Sequence, residues 1–186
     1  MSQKKDKEIL FFRESVFKLT KQIFNFPNKT FHIRELTRET GYSTTAITKG
    51  LKELNKHDII ILEETPITTN IKANLESEAY RFYKLVFNLY RLQKSGFIDI
   101  LKEHYRSEAI ILFGSFSKGE DNENSDIDIL IITPKKDHSG IYLEKFEKEF
   151  NRKINLHILQ NIEKSSTEFK NTISNGIVLY GYLKVI

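Results

Sequence analysis

The sequence predicts an α+β chain: an N-terminal helical module closed by a β-hairpin, a helical linker, and a C-terminal small mixed sheet with flanking helices. Three observations carry that prediction. Helical spacing of apolar residues runs through the first third of the chain and gives way to two β-branched runs. An aromatic-rich helical stretch follows. After Ser107, short apolar runs of strand length alternate with polar helical segments and turns.

Between Lys5 and Phe26 the apolar residues Ile9, Leu10, Val16, Phe17, Leu19, Ile23 and Phe24 recur at helical spacing, and Pro27 ends the pattern. Thr30–Ile33 reads as a strand or as the lead-in to a helix. Arg34–Thr40 reads as a short helix stopped at Gly41, where a tight turn needs a positive φ. Ser43 is a good N-cap for a helix to about His57, with Ala46, Ile47, Gly50, Leu51 and Leu54 inward. Ile59-Ile60-Ile61-Leu62 and Ile71–Leu75 then form the two strands of a hairpin.

The stretch FHIRELTRETGYSTTAITKGLKELNKHDIIILEE resembles a winged helix-turn-helix over most of its length. That resemblance implies a domain over residues 1–75 whose second central helix enters the DNA major groove. It directs Ser43, Thr44, Thr45, Thr48, Lys49 and Lys52 at nucleic acid. The hydroxyls would reach bases or phosphates, and the lysines would add a salt-sensitive phosphate contribution. It also implies a homodimer. Docking on protein is the other use of such modules, and this helix contains no arginine.

Residues 76–106 are read as a helical linker, broken near Ser95-Gly96 and rich in Tyr and Phe. Their helical spacing fits packing between domains or a dimer interface better than base stacking.

The strongest signal is AIILFGSFSKGEDNENSDIDILIIT, Ala109–Thr133. An apolar strand ends at Gly114-Ser115; a polar helix-forming stretch holds Lys118 and Gly119; an acidic turn reaches Ser125; and Asp126-Ile127-Asp128 enters a second strand. Residues i and i+2 of a strand share a face, so Asp126 and Asp128 project together. Paired carboxylates are costly unless a cation lies between them, and Mg²⁺ takes one or two carboxylates plus substrate phosphates. Gly114 permits close backbone approach to a phosphate, Ser115 offers a hydroxyl and N–H at a helix start, and Lys118 a positive charge.

Gly114, Ser115, Gly119, Ser125, Asp126 and Asp128 stand at the spacing of the DNA polymerase β-like nucleotidyltransferase superfamily, and 107–160 resembles its minimal members. The resemblance implies a nucleotidyltransferase domain over 107–186. In it Gly114, Ser115, Lys118 and Ser125 would bind a nucleoside triphosphate, with ATP expected, while Asp126 and Asp128 would be catalytic and hold Mg²⁺ or Mn²⁺. The family completes its site with a third carboxylate on a later strand. In Ile154-Asn155-Leu156 that place falls on Asn155, which cannot accept a proton, and loss of a general base costs about 10²–10⁴ in rate. His157, on the same strand face, could serve as base or ligand, or as a packing histidine; alternatively, the metal alone could lower the acceptor's pKa. His32, His57, His104 and His138 show no metal-ligand spacing. The second strand is read as Ile129–Thr133, a helix as Gly140–Phe150, and the tail from Asn161 as a helix to about Ser174 followed by a strand Ile177–Tyr180.

Composition sets limits. No apolar run reaches the ~18–20 residues a bilayer span needs, no signal sequence is visible, and cysteine is absent, so disulfides and thiolate metal sites are excluded and a cytoplasmic setting is expected. The net charge of +4 belongs to residues 1–75, with 13 Lys/Arg against 9 Asp/Glu; residues 76–186 hold 16 of each. Two functions follow. In the first, an NMP group (AMP from ATP) goes to a hydroxyl of a macromolecular acceptor; by resemblance to antitoxin nucleotidyltransferases, that acceptor is a partner toxin of the HEPN type, and the winged helix represses the shared operon. In the second, a DNA-binding regulator carries a catalytically impaired nucleotide sensor, as Asn155 would allow.

Overall fold

A computed structural model describes residues 14–134 and 140–183. Seven α-helices and two small sheets make up these residues, a mixed α+β architecture. The chain divides between Tyr80 and Arg81 into two compact units.

The first unit runs α1 (Glu14–Asn25), β1 (Phe31–His32), α2 (Ile33–Thr40), α3 (Thr44–Lys56), β2 (Ile60–Glu64) and β3 (Thr69–Ala73). The part of the first expected helix before residue 14 lies outside the described residues. The strands form an antiparallel sheet in the order β1-β3-β2. Its core is built by the apolar stripes of α1 (Val16, Leu19, Ile23, Phe24) and α3 (Ile47, Leu51, Leu54), closed by Phe31, Leu36 and Ile71. Side chains decide the boundaries. Ser43 Oγ accepts from Ala46 N at 3.3 Å and starts α3, while α2 stops at Gly41, whose φ is 75° and whose N–H donates to Thr37 O.

Helix α4 (Glu78–Lys94) crosses the division, and the second unit continues with α5 (Phe97–Tyr105), β4 (Ala109–Phe113), β5 (Ile127–Ile132), α6 (Glu144–Phe150), β6 (Ile154–Leu159), α7 (Thr167–Ser174) and β7 (Ile177–Gly181). Its sheet order is β6-β5-β4-β7, with β5 and β6 parallel and the other pairs antiparallel. One face packs Ile110, Leu112, Ile127, Ile129 and Ile131 against Leu92, Phe97, Leu101, Tyr105, Phe146 and Phe150. The segment read as a linker therefore supplies a wall of this core. The other face joins Ile111, Phe113, Leu130 and Ile132 to Ile162 and Ile173.

Two helices are shorter than the sequence indicates. The helix expected from Gly140 begins at Glu144; Ile141 and Leu143 ahead of it pack against the core from outside the helix, and Phe146 and Phe150 are its buried residues. The helix expected from Asn161 begins at Thr167, where the Ser166 hydroxyl accepts from Phe169 N. The strand expected from Ile129 begins at Ile127, so Asp128 lies inside β5.

Candidate functional site

Fully buried β4 delivers the chain to Gly114 at one end of the sheet. Gly114 has φ 74° and ψ −164°, a region essentially confined to glycine. Phe113 is paired with Asp128 in the β4–β5 register. A Cβ on Gly114 would consequently lie 2.7 Å from Asp128 Oδ2. The absent side chain makes room for a carboxylate.

Ser115–Lys118 form a single 3-10 turn, where the sequence indicates the start of a helix. So short a turn carries little dipole, and an anion there would rest on individual N–H groups. Ser117 Oγ donates to Gly114 O at 2.7 Å. Ser115 is half-buried and Lys118 exposed. Gly119, with φ 70°, lies so close to α4 that a Cβ would meet Arg81 O at 2.3 Å and Leu85 N at 2.9 Å.

From Gly119 to Ser125 the chain is held from beneath by charge. Asp121 is 2% exposed. Its carboxylate accepts from Asn88 Nδ2 at 2.9 Å and from Arg152 Nη2 at 3.2 Å, with Lys84 Nζ 3.4 Å away. Lys84 also donates to the Asp121 carbonyl, and Asn88 to the Phe116 carbonyl at 3.1 Å. Burial pushes the Lys84 ammonium down to about 8, and burial holds Arg91, which donates to Glu149 O, down to about 10. The sequence reading missed Lys84, Asn88, Asp121 and Arg152; a lysine and an arginine flanking an acidic turn carry no local signature. The turn is completed by Ser125, whose Oγ accepts from Asn122 N at 2.9 Å and whose N–H donates to Asn122 O at 3.1 Å.

Asp126 precedes β5, and Asp128 lies one pleat further on. Parallel pairing sets Asn155 of β6 opposite Asp128. Asn155 Nδ2 donates to Asp126 Oδ2 at 3.0 Å and to Asp128 Oδ1 at 3.2 Å. One amide thus spans both acids. His157, two residues on, is exposed at its edge, with ring contacts to Phe113 (centroids 5.2 Å apart) and Phe169 (5.7 Å). Beside Asp126 opens a groove of about 690 Å³ whose walls include Ser125, Glu144, Glu147 and Lys153. A second cavity, about 580 Å³, lies by Glu108, Ile132 and Tyr180 and touches none of the candidate residues. Among the described residues, no three His, Cys, Asp or Glu side chains converge as a metal cluster; the carboxylate pair is completed by an amide.

The structure thus brings Gly114, Asp126, Asp128 and Asn155 together, with Ser115 on the adjoining turn. The residues read as facing DNA form a separate surface in the first unit. Ser43, Thr44, Thr45, Lys49 and Lys52 are exposed on the outer side of α3 and Thr48 is half-buried, while the Ser43 hydroxyl is engaged as the cap.

Gly114, Asp126, Asp128 and Asn155 all fall within residues 94–180, which match the family described as Nucleotidyltransferase domain. Two proteins of Methanocaldococcus jannaschii, each named a putative protein adenylyltransferase, are similar to this chain. One is 42% identical over 50 residues, covering 26% of this chain and 50% of the relative. The other is 52% identical over 31 residues, covering 17% and 36%. The chain thus spans half or less of the length of these curated relatives. No solved structure matches it. No helix among the described residues is long and apolar enough to cross a membrane.

Proposed function

We propose that the second unit transfers an AMP group from ATP to a hydroxyl of a macromolecular acceptor, and that the first unit is a winged helix-turn-helix that binds DNA. The observation carrying the first half is the meeting of Gly114, Asp126, Asp128 and Asn155 at one end of the sheet, within the stretch that matches the nucleotidyltransferase family.

The donor set fits a divalent metal. Asp126 and Asp128 are half-buried oxygen ligands close enough to share one amide, and a hard cation such as Mg²⁺ or Mn²⁺ is held by such oxygens. Asn155 could add its carbonyl oxygen after the amide turns over. When bound, the metal supplies electrostatic stabilisation of the phosphates and a lowered pKa for the attacking hydroxyl. The chain's own part is to hold the acids side by side at the start of β5, to present N–H groups and the Ser115 hydroxyl beside them, and to fix the intervening loop through Asp121. The acceptor is proposed to be a protein hydroxyl, by analogy with the names of the relatives. An antitoxin role toward a partner toxin extends that analogy.

The experiment is transfer from labelled ATP with Mg²⁺ to candidate acceptors, comparing wild type with Asp126→Asn and Asp128→Asn. Loss of label in both variants supports the assignment; unchanged labelling in either sinks it.

One observation favours a second reading. Asn155 occupies the acid pair as a donor and provides no base. A unit that binds nucleotide without turnover would act as a sensor, and DNA affinity would then change with ATP. Equal DNA affinity with and without ATP would eliminate this reading.

For the first unit, the order of α1, β1, α2, α3 and the β2–β3 hairpin, together with the basic excess of residues 1–75, supports DNA binding. A gel-shift series on DNA flanking the gene, repeated with Lys49→Ala/Lys52→Ala, tests it; equal retention of both proteins would count against it.

A further inference from the structure

Helix α4 carries Glu78, Phe82, Val86, Tyr90 and Lys94 at four-residue intervals, which is one continuous i, i+4 ridge of a helix surface. Phe82 is 61% exposed and Tyr90 46%, Glu78 and Lys94 are exposed, and Val86 is half-buried. The opposite side of the helix is fully committed: Lys84, Phe87, Asn88 and Arg91 are buried. The ridge is therefore surplus to the core. Two large aromatics standing at its quarter points are costly to leave in water.

The row has a symmetry of its own. Read from either end towards Val86 it runs charge, aromatic, valine, and the two end charges are of opposite sign. Turned end for end on a second copy, it sets Glu78 beside Lys94, Phe82 beside Tyr90, and Val86 beside Val86. We propose that this ridge is an interface with a second copy of the chain, in which two α4 helices pack antiparallel about a two-fold axis at Val86.

Ridges of this kind interdigitate at a crossing angle of about −50°, so the row lies along the line of contact for its full length. A two-fold interface must be self-complementary, and the alternation of acid, aromatics and base meets that requirement at every position. A parallel arrangement would oppose Glu78 to Glu78 and Lys94 to Lys94. A lipid surface would gain nothing from Glu78, and a nucleic acid would be repelled by it. One helix pair is smaller than the ~1,600 Å² of a standard stable interface, so the population of dimer is expected to depend on concentration.

The chain lacks cysteine, which makes site-directed cross-linking clean. Sedimentation velocity on the full chain should show a concentration-dependent passage from monomer to dimer. Phe82→Lys should raise the dimer Kd at least tenfold with an unchanged circular dichroism spectrum. Glu78→Lys and Lys94→Glu should each weaken the dimer, and the double variant should recover it, because each swapped pair is again of opposite sign. Val86→Cys with a short bis-maleimide should give covalent dimer far faster than Lys145→Cys, an exposed control on α6. A monomer at all concentrations would overturn the proposal. So would Phe82→Lys dimerising like wild type, or Val86→Cys cross-linking no faster than the control variant.

Discussion

Asn155 donates its side-chain amide to Asp126 across 3.0 Å, with Asp128 reached from the same nitrogen at 3.2 Å. An amide and a carboxylate have the same shape, so Asn155→Asp changes charge and leaves volume alone. The change replaces the donor with a third acid facing two others. Without metal, the variant should melt below wild type. With millimolar Mg²⁺ or Mn²⁺ its melting temperature should rise by more than that of wild type, because three carboxylates gain more from a cation than two. Calorimetry with chelator and with metal measures both, and equal metal responses in the two proteins would reject the placement of a cation here. If transfer is limited by the missing base, the variant should also be faster, by up to the ~10²–10⁴ that such groups contribute.

Gly114 sits where its absent Cβ would be 2.7 Å from Asp128 Oδ2, at φ 74° and ψ −164°. Alanine there meets two costs: backbone strain of order 1–3 kcal/mol and displacement of the Asp128 carboxylate. Gly114→Ala should lower stability in urea denaturation by about that strain and weaken metal-dependent nucleotide binding by more than the stability change accounts for. Nucleotide affinity equal to wild type would show that the glycine serves the backbone alone.

Part of this site is legible in the sequence and part is not, for reasons of distance along the chain. Gly114, Ser115, Asp126 and Asp128 fall within fifteen residues, and the period-two spacing of the acids encodes their shared face. Ser43 and Gly41 are local devices and mark their helix ends correctly. Asn155 is different. Its identity departs from the acid that the resemblance leads one to expect, but its double donation depends on the parallel register that sets it opposite Asp128, which a single sequence does not reveal. Asp121 is harder still. It reads as one acid among several in a polar turn, and its partners Lys84 and Arg152 lie 37 and 31 residues away. The buried face that they share exists only after the sheet, α4 and the end of α6 have assembled.

That buried network has a consequence for pH. Burial lowers the Lys84 ammonium to about 8 from the ordinary 10.5 of the unfolded chain. Between those values the unfolded chain holds a proton that the native one has released, so the contribution of Lys84 to stability rises with pH across that window. Below about 8 both states are charged and the full cost of burial is felt. The stability difference between wild type and Lys84→Met, from urea denaturation at several pH values, should therefore shift in favour of wild type from about 8 to about 10.5. A difference independent of pH would mean that Lys84 keeps its ordinary affinity for protons. Asp121→Ala, by contrast, leaves Lys84 and Arg152 buried without their shared counter-charge and should cost about 3–5 kcal/mol; it should also impair nucleotide binding by freeing the loop between Gly119 and Ser125.

On the first unit, Lys49 and Lys52 stand exposed on α3, three residues apart and on the side away from Ile47, Leu51 and Leu54. If they contact phosphates, their effect is fixed by counterion release: each phosphate neutralised contributes a slope of about −0.9 to the plot of log affinity against log salt. Lys49→Ala and Lys52→Ala should each flatten that slope by about one and weaken all DNA sequences alike. Thr44→Ala and Thr45→Ala carry no charge; if these residues read bases, they should leave the slope intact and alter only the preference among sequences, by about 1–3 kcal/mol for a base contact. Affinity measured at four or five salt concentrations on two DNA sequences separates the cases. A wild-type slope near zero would mean that α3 does not meet a phosphate backbone, and its exposed face would then have to be explained by a protein partner.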